Sequence, residues 1–492
     1  MATMKGEWLG ISEVMKQIIV DAGEGEPAIA FAISGGGATG AYEAGVLDAW
    51  LEFATKAYPE HKFLRPQFIL GSSAGALNAV TTLVAALRAD AGPRFGFEVW
   101  RAISPRSAPF VVGPWRTPLV DFATRWAKVP LLLIVAIALV ALVGAIAILT
   151  PVVAAGAGVA LGVLIVLLFR RAVFLNRALT RTVGCVLSAS VDPKTGRIDR
   201  TALTRRIDPG QASTAFVNLW YSARAAALKG ATGAPDLPPN LIVTSTDLTN
   251  SEANLFTLAH PSVFGKLAAQ DWQVMQLVGS KTLAAEYGTS RDRECGWLSS
   301  DQFVTCVVAS TSIPGVFPSQ RIALHGTPGN GDAEHDFVDG GVLNNTPIHI
   351  AIDAGATHVI SFELEPLMQI SALHYVAEGE PPSLGRNLIQ TFETLLAHST
   401  SQGIHMASSW NRGLVTQGSS GSASQKRLVP IYRMAPGRRD LNLIDFDGHY
   451  DSACSKPRPT LEQWLTQGLT DASQKKLFWN ATFEADPKEA DW

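Results

Sequence analysis

The sequence predicts an α/β fold with a mostly parallel central sheet, interrupted by an apolar helical hairpin. Short apolar runs alternate with helical stretches along most of the 492 residues, which is typical of strand–helix–strand units. Two of these runs end in glycine-rich turns, at 34–40 and 71–75, that lead directly into helices. Between Val129 and Phe169 the chain carries no charged side chain. The first two observations predict the layered sheet, and the third predicts the hairpin.

The first predicted strand, Ala28 to Ile33, leads into Ser34-Gly35-Gly36-Gly37-Ala38-Thr39-Gly40 and then into a helix. Three consecutive glycines expose backbone N–H groups, which suits binding of a negatively charged oxygen. The segment also fits G-x-G-x-x-G after a strand, the dinucleotide-binding pattern. That alternative requires an acidic residue at the end of the next strand, but the corresponding stretch, 56–61, reads as a loop. An anion-binding loop is therefore favoured over a nucleotide site.

The second predicted strand, Phe68 to Leu70, is followed by Gly71-Ser72-Ser73-Ala74-Gly75 and an alanine-rich helix. In G-x-S-x-G the serine occupies a turn so sharp that the flanking positions leave no room for side chains. The hydroxyl of Ser73 would then stand above the sheet at a helix N-terminus. Turns of small residues share this composition, so the pattern indicates a nucleophile only together with other elements.

A third element, Phe337-Val338-Asp339-Gly340-Gly341, lies far downstream. It is preceded by Ala309-Ser310-Thr311-Ser312-Ile313-Pro314-Gly315-Val316-Phe317-Pro318 and followed by Asn344-Asn345-Thr346-Pro347. An aspartate before two glycines at a strand end is, by itself, most often a turn residue. Taken together, the three elements supply a nucleophile, an anion-binding loop and a carboxylate base.

In this combination and order, the motifs resemble the patatin-like phospholipase family from residue 27 to about 365, apart from the apolar insertion. The resemblance implies a three-layer α/β/α sandwich and a Ser–Asp dyad that hydrolyses acyl esters through an acyl-enzyme, without a metal or cofactor. On the matching positions it implies Ser73 as the nucleophile and Asp339 as the general base. It also implies backbone roles for three sets of glycines, namely the oxyanion hole of Gly35, Gly36 and Gly37, the elbow residues Gly71 and Gly75, and the pair Gly340 and Gly341.

One position departs from the family pattern, because Thr39 stands where the family usually has Arg or Lys. Without that cation, attraction to an anionic headgroup is weaker. The resemblance therefore supports an esterase more firmly than a phospholipid substrate.

A Ser–Asp–His triad is the alternative to the dyad. Burial near the apolar elbow is expected to raise the pKa of Asp339 and so make it a stronger base. In the α/β-hydrolase order a triad histidine follows the acid. The histidines in such positions are His349, His358, His374, His398, His405 and His449. His449 lies in the loop best suited to this role, whereas His349, at a helix start, is interpreted as a packing or capping residue.

The uncharged segment is long enough for two membrane-crossing helices. Pro151 divides it into Leu131–Leu149 and Val152–Phe169, each close to the roughly 20 apolar residues that a crossing requires. Because Ser73 precedes this segment and Asp339 follows it, an odd number of crossings would separate them. We therefore expect residues 131–169 to cross twice or to re-enter from one face. Basic residues on both sides place the two ends in the cytoplasm, namely Arg125, Lys128, Arg170, Arg171, Arg177 and Arg181.

Composition agrees with a membrane-held enzyme. Only 17% of residues are charged, and the mean hydropathy is +0.16. A net charge of −3 argues against nucleic acid as a partner. The four cysteines, at 185, 295, 306 and 454, lack metal-ligand spacing and suit a reducing compartment. Residues 1–20 lack the apolar core of a signal peptide.

These observations divide the chain into five parts: an N-terminal segment (1–26), a first catalytic part (27–128), the hairpin (129–171), a second catalytic part (172–365) and a C-terminal extension (366–492). They predict a membrane-associated serine acyl hydrolase with its catalytic domain on the cytoplasmic face. Its expected substrates are lipid acyl esters, phospholipid or lysophospholipid, and a homo-oligomer is left open. The rival hypothesis is a non-enzymatic membrane scaffold or lipid-binding protein with a vestigial dyad.

Overall fold

A computed structural model describes residues 7–37, 40–88, 91, 94–103, 175–188, 207–229, 237–278, 296–314, 317–327, 331–363, 384–416, 428–434 and 461–483. The strands in these ranges are Trp8–Leu9 (β1), Ile29–Ile33 (β2), Phe68–Gly71 (β3), Asn240–Asp247 (β4), Glu252–Leu258 (β5), Gln273–Val278 (β6), Gly296–Ser299 (β7), Gln320–Thr327 (β8), Gly331–Asp339 (β9), His358–Phe362 (β10), Ile431–Met434 (β11) and Phe478–Asn480 (β12). The α-helices are Ile11–Asp21 (α1), Gly40–Ala57 (α2), Ala74–Leu87 (α3), Phe95–Ile103 (α4), Leu175–Ser188 (α5), Pro209–Leu228 (α6), Pro261–Ala269 (α7), Phe303–Ser310 (α8), Gly341–Asn344 (α9), Ile348–Ala354 (α10), Leu384–Thr416 (α11) and Leu461–Gln474 (α12).

All of these strands belong to one sheet, in the order β1-β12-β11-β10-β2-β3-β4-β5-β6-β7-β8-β9. The strands β11, β10, β2, β3 and β4 are parallel to one another. Antiparallel pairs occur at β4–β5, β7–β8 and β8–β9, and again where β12 joins β1 and β11. The predicted α/β class is confirmed, and the predicted parallel arrangement holds for the five strands from β11 to β4 and for β5 to β7, but the sheet as a whole is mixed. Short turns such as the one between β4 and β5 join neighbouring strands and force them to run antiparallel.

One edge of β4 is shared by two strands that meet end to end. Gly71, the last residue of β3, pairs with Val243, and Asp339, the last residue of β9, pairs with Ser245. The opposite edge of β4 is occupied by β5 along nearly its whole length. Strand β9 therefore pairs with the part of this edge that lies beyond the end of β3. Because β9 also pairs with β8, the strands from β4 to β9 form a closed series of pairs.

Helices cover both faces of the sheet. In β2 the side chains of Ile29, Phe31 and Ile33 belong to one buried cluster, while those of Ala30 and Ala32 belong to another. This alternation follows from the two-residue period of a strand, whose successive side chains point to opposite faces. The first cluster includes apolar residues of α1 to α6, α8 and α12, and the second includes those of α7, α10 and α11.

Within the described ranges, no helix combines the length and apolarity that crossing a membrane requires. The predicted hairpin at 131–169 lies outside the described residues, as does Thr39. Of the four cysteines, Cys185 and Cys306 are described, and both are buried.

We expect Gly45→Ala to destabilise the fold, because α2 and α12 approach each other closely at this position. A β-carbon at Gly45 would lie 2.9 Å from Leu469 N and would also overlap with Leu465 O. Overpacking of this kind costs about 1–3 kcal/mol. Urea unfolding measures the loss.

The matched control for this substitution is Gly265→Ala in α7, where a β-carbon meets nothing within 4 Å. Alanine favours a helix by up to about 1 kcal/mol over glycine, so this variant should be as stable as the unaltered protein or slightly more stable. Equal stability of the two variants would contradict the close approach of α2 and α12.

Candidate active site

Ser73 occupies the sharp turn between β3 and α3. Its backbone has φ 52° and ψ −126°, a conformation that residues with a β-carbon rarely adopt. A β-carbon at Gly71 would overlap with Gly75 O, and one at Gly75 would overlap with Ile33 O. Both flanking positions therefore require glycine, and the turn is as tight as the G-x-S-x-G pattern demands.

Ser310, at the end of α8, joins the serine turn to the end of β9. Its buried hydroxyl accepts a hydrogen bond from Ser73 N at 3.1 Å, and its carbonyl accepts one from Gly340 N at 3.3 Å. Two residues later, Ser312 O accepts from Asp339 N at 2.9 Å. The sequence alone did not indicate this role for the segment 309–318. Of the three hydroxyl groups in this segment, that of Ser310 bonds to the serine turn, whereas those of Thr311 and Ser312 donate to Val308 O.

Asp339 is fully buried beside Ser73. Its Oδ1 accepts a hydrogen bond from Gly341 N at 2.8 Å, and its Oδ2 has no well-aligned partner within the described chain. Burial raises the pKa of this carboxyl to about 7, although hydrogen bonds from the Ser73 side chain and from Gly341 N lower it. The interaction with Ser73 places the hydroxyl within reach of the carboxyl group. Such bonds between reacting groups are often poorly aligned until substrate binds.

The glycine-rich loop passes directly over Ser73. A β-carbon at Gly35 would lie 2.6 Å from Ser73 Cβ and 2.5 Å from Asn345 Oδ1. Gly35 N donates to Asn345 Oδ1 at 2.9 Å. Of the three glycines predicted for an oxyanion hole, Gly35 thus has its N–H directed at Asn345. Gly37 has φ 56°, in the left-handed region that glycine adopts readily.

Asn345 connects the glycine-rich loop to the Asp-Gly-Gly element and to α11. A β-carbon at Gly341 would lie 2.7 Å from Asn345 Oδ1, so the two groups are in close contact. The backbone N–H of Asn345 donates to Ser399 Oγ and its amide nitrogen donates to Thr400 Oγ1, each at 2.9 Å. The sequence alone did not indicate a role for Asn345, because its hydrogen-bond partners are more than 50 residues away along the chain.

None of the described histidines bonds to Asp339. His349 packs against Trp272 with ring centroids 5.5 Å apart, and burial lowers its pKa. This agrees with a packing role. His358 contacts the Asp21 carboxylate at 3.2 Å, and His398 contacts Gln402. His374 and His449 lie outside the described residues.

Asp247, at the end of β4, is a structural residue that caps the turn after this strand. Its Oδ1 accepts from Thr249 N at 2.8 Å, and its Oδ2 pairs with His335 Nδ1 at 2.6 Å. Across the described part of the chain, no group of three or more His, Cys, Asp or Glu side chains could hold a metal ion.

Comparison with known proteins identifies a family model that matches the chain and solved structures that resemble it. The family model for patatin-like phospholipase matches residues 31–352. Among solved structures, the chain is similar to VipD from Legionella pneumophila, with 11% sequence identity and a TM-score of 0.31. The alignment covers 91% of this chain and 66% of VipD. No curated protein matches the sequence significantly.

The family match spans about two thirds of the 492 residues and includes the glycine-rich loop, the serine turn and the Asp-Gly-Gly element. The chain therefore belongs to the patatin-like phospholipase family.

Proposed function

We propose that the protein is a membrane-associated enzyme that cleaves phospholipid or lysophospholipid acyl esters with Ser73 as nucleophile and Asp339 as general base. The observation that carries this proposal is the burial of Asp339 beside Ser73, with a pKa raised to about 7. A carboxyl group with this pKa is partly ionised at neutral pH and is a much stronger base than an exposed aspartate. Histidine is therefore not required as an intermediary.

In the acylation step, the Asp339 carboxylate takes the hydroxyl proton of Ser73 while Oγ attacks the ester carbonyl carbon. The carbonyl oxygen becomes negatively charged, and the N–H groups at Gly36 and Gly37 are the proposed donors to it. When the tetrahedral intermediate collapses, the ester C–O bond breaks. The leaving alcohol takes the proton from Asp339, and an acyl-enzyme remains.

In the second step, Asp339 removes a proton from a water molecule that attacks the acyl-enzyme carbonyl. The bond to Ser73 Oγ then breaks, and Oγ recovers the proton from Asp339. The fatty acid is released, and serine and carboxylate are regenerated. One base thus serves both half-reactions.

An exposed apolar face on α11 supports the membrane part of the proposal. Leu395, Met406 and Trp410 are 48%, 62% and 47% exposed. At 100° per residue, these three positions lie within about 60° of one another around the helix. From residue 394 to residue 416 the sequence contains no acidic residue. Interfacial helices combine an apolar face with aromatic residues and few acidic ones in the same way.

This face begins next to the candidate site. Leu396 is buried beside Leu395, and its Cδ2 touches the position that a β-carbon at Gly341 would occupy. A bilayer in contact with α11 would therefore bring ester groups close to Asp339. Together with the uncharged segment 131–169, the face supports attachment to a membrane, and the basic residues around that segment favour its cytoplasmic side.

Ser73→Ala and Asp339→Asn are each expected to abolish hydrolysis of a short-chain ester, because neither half-reaction proceeds without its nucleophile or its base. Their losses should not add, since the two groups act as one unit. Esterase assays on both single variants and the double variant measure this. The unaltered protein should also react with a fluorophosphonate probe at Ser73, which a vestigial scaffold would not. A folded Ser73→Ala protein with near-native turnover would refute the assignment.

The pH dependence of kcat/KM should show a single rise with its midpoint at about pH 7, the pKa of Asp339. The base acts as the carboxylate, so activity falls as the group is protonated below that pH and is constant above it. Initial rates between pH 5 and pH 9 on a neutral ester measure the profile. Full activity at pH 5 would show that Asp339 is not the base.

Replacing Leu395, Met406 and Trp410 together with serine should weaken hydrolysis of vesicle phospholipids by at least about tenfold. Each exposed apolar side chain that enters a lipid surface contributes about 1.5–3 kcal/mol when fully buried, and 1.4 kcal/mol is a factor of ten. Rates on a short, water-soluble ester should not change. The control is Val20→Ser with Leu228→Ser, which removes exposed apolar side chains from α1 and α6. Equal losses in the two proteins would refute a specific role for α11.

A further inference from the structure

Glu43 is a buried carboxyl group directly behind the glycine-rich loop. It lies in the first turn of α2 and is fully inaccessible to solvent. Its Oε1 accepts a hydrogen bond from Ser34 Oγ at 3.2 Å, and its Oε2 accepts one from Asn78 Nδ2 at 3.0 Å. Ser34 is the residue at which the loop leaves β2. Glu43 is thus bonded to the start of the loop and to α3.

Asn78 extends this connection to the end of the loop. It belongs to α3, the helix that begins directly after Ser73. Its Nδ2 also donates to Gly40 O at 2.9 Å, and its Oδ1 accepts from Trp100 Nε1 at 2.6 Å. Both ends of the glycine-rich loop are therefore tied, through Glu43 and Asn78, to the helix that carries the nucleophile turn.

Burial favours the neutral form of this side chain. It raises the pKa of Glu43 well above its ordinary value, and the nearby Glu363 raises it further, while the bonds from Asn78 and Ser34 lower it. Glu363 is itself engaged with Arg433 Nε and with Ser361 Oγ. A neutral acid does not repel the negative charge that develops on the substrate oxygen, whereas a carboxylate at this position would.

Burial of a carboxyl group costs desolvation free energy, which an apolar side chain of similar volume would not cost. The hydrogen bonds of Glu43 point to a different role. Those bonds fix the loop relative to the turn at Ser73, and displacement of reacting groups by about 1 Å can cost about 10²-fold in rate.

We propose that Glu43 is a positioning residue, which holds the glycine-rich loop in register with Ser73 so that the loop N–H groups face the carbonyl oxygen of the substrate. This inference rests on the proposed function. It concerns a residue that touches neither substrate nor Ser73 in the proposed reaction. Its effect is exerted through Ser34 and Asn78.

The test compares Glu43→Leu and Glu43→Gln with the matched control Asp48→Leu. Asp48 lies in the same helix, is 3% exposed and also has a pKa raised by burial. Its carboxyl group accepts a hydrogen bond from Phe97 N in the first turn of α4, and not from Ser34 or Asn78. Glutamine at position 43 can still accept from Asn78 Nδ2 and donate to Ser34 Oγ, because a hydroxyl both donates and accepts.

The measurements are kcat and KM on a short-chain ester, the rate of fluorophosphonate labelling, and urea unfolding. We expect Glu43→Leu to lower kcat and the labelling rate by about 10- to 10²-fold with little change in KM, somewhat less than loss of an oxyanion donor. Glu43→Gln should stay within about threefold of the unaltered enzyme, since it keeps both bonds. Asp48→Leu should lose stability but keep its kcat per folded molecule. Ser34→Ala, a smaller change, tests the same connection if Glu43→Leu does not fold.

Each result decides a different claim. Unchanged kcat in Glu43→Leu and Ser34→Ala would overturn the positioning role and leave the proposed function intact. A kcat for Glu43→Gln as low as that for Glu43→Leu would overturn the role of the hydrogen bonds. An equal loss of kcat in Asp48→Leu would show a general effect of core damage. Absence of hydrolysis and labelling in the unaltered protein would overturn the proposed function, and the inference with it.

Discussion

The arrangement of the site depends on one constraint, the shared edge of β4. Strand β3 stops at Gly71, and β9 takes over the same edge two residues later, at the pairing of Asp339 with Ser245. At about 3.3 Å per residue, this register brings the end of β9 next to the turn that follows β3. The Ser310 bonds to Ser73 N and Gly340 N then fix the two strand ends to each other.

The same physical effect, desolvation of a carboxyl group, serves two purposes around this edge. At Asp339 it raises the pKa to about 7, which supports the proposed role of this residue as a base at neutral pH. At Glu43 it raises the pKa well above the ordinary value and favours the neutral acid behind the loop. At Glu43 the negative charge of the nearby Glu363 adds to the effect of burial, and the hydrogen bonds from Asn78 and Ser34 oppose it.

The sequence predicted the parts of the site that depend on local chain geometry. The turn around Ser73 could be read from its glycines, because a turn this tight excludes side chains at Gly71 and Gly75. The roles of Ser310 and Asn345 in the site could not be predicted from the sequence, since each bonds to a group more than 200 residues away along the chain. The mixed sheet was missed for a related reason. Apolar runs indicate strands but carry no information about the direction in which distant strands pair.

The end-to-end arrangement on β4 also sets when the site can exist during synthesis of the chain. The serine turn, β4 and its partner β5 are all made before residue 260, but β9 begins only at Gly331. Pairings between such distant segments form late and slowly, because the intervening chain must first be ordered. A ribosome-bound chain that has reached β8 therefore contains the proposed nucleophile without the proposed base. In the proposed mechanism, hydrolysis becomes possible only after β9 has joined the sheet.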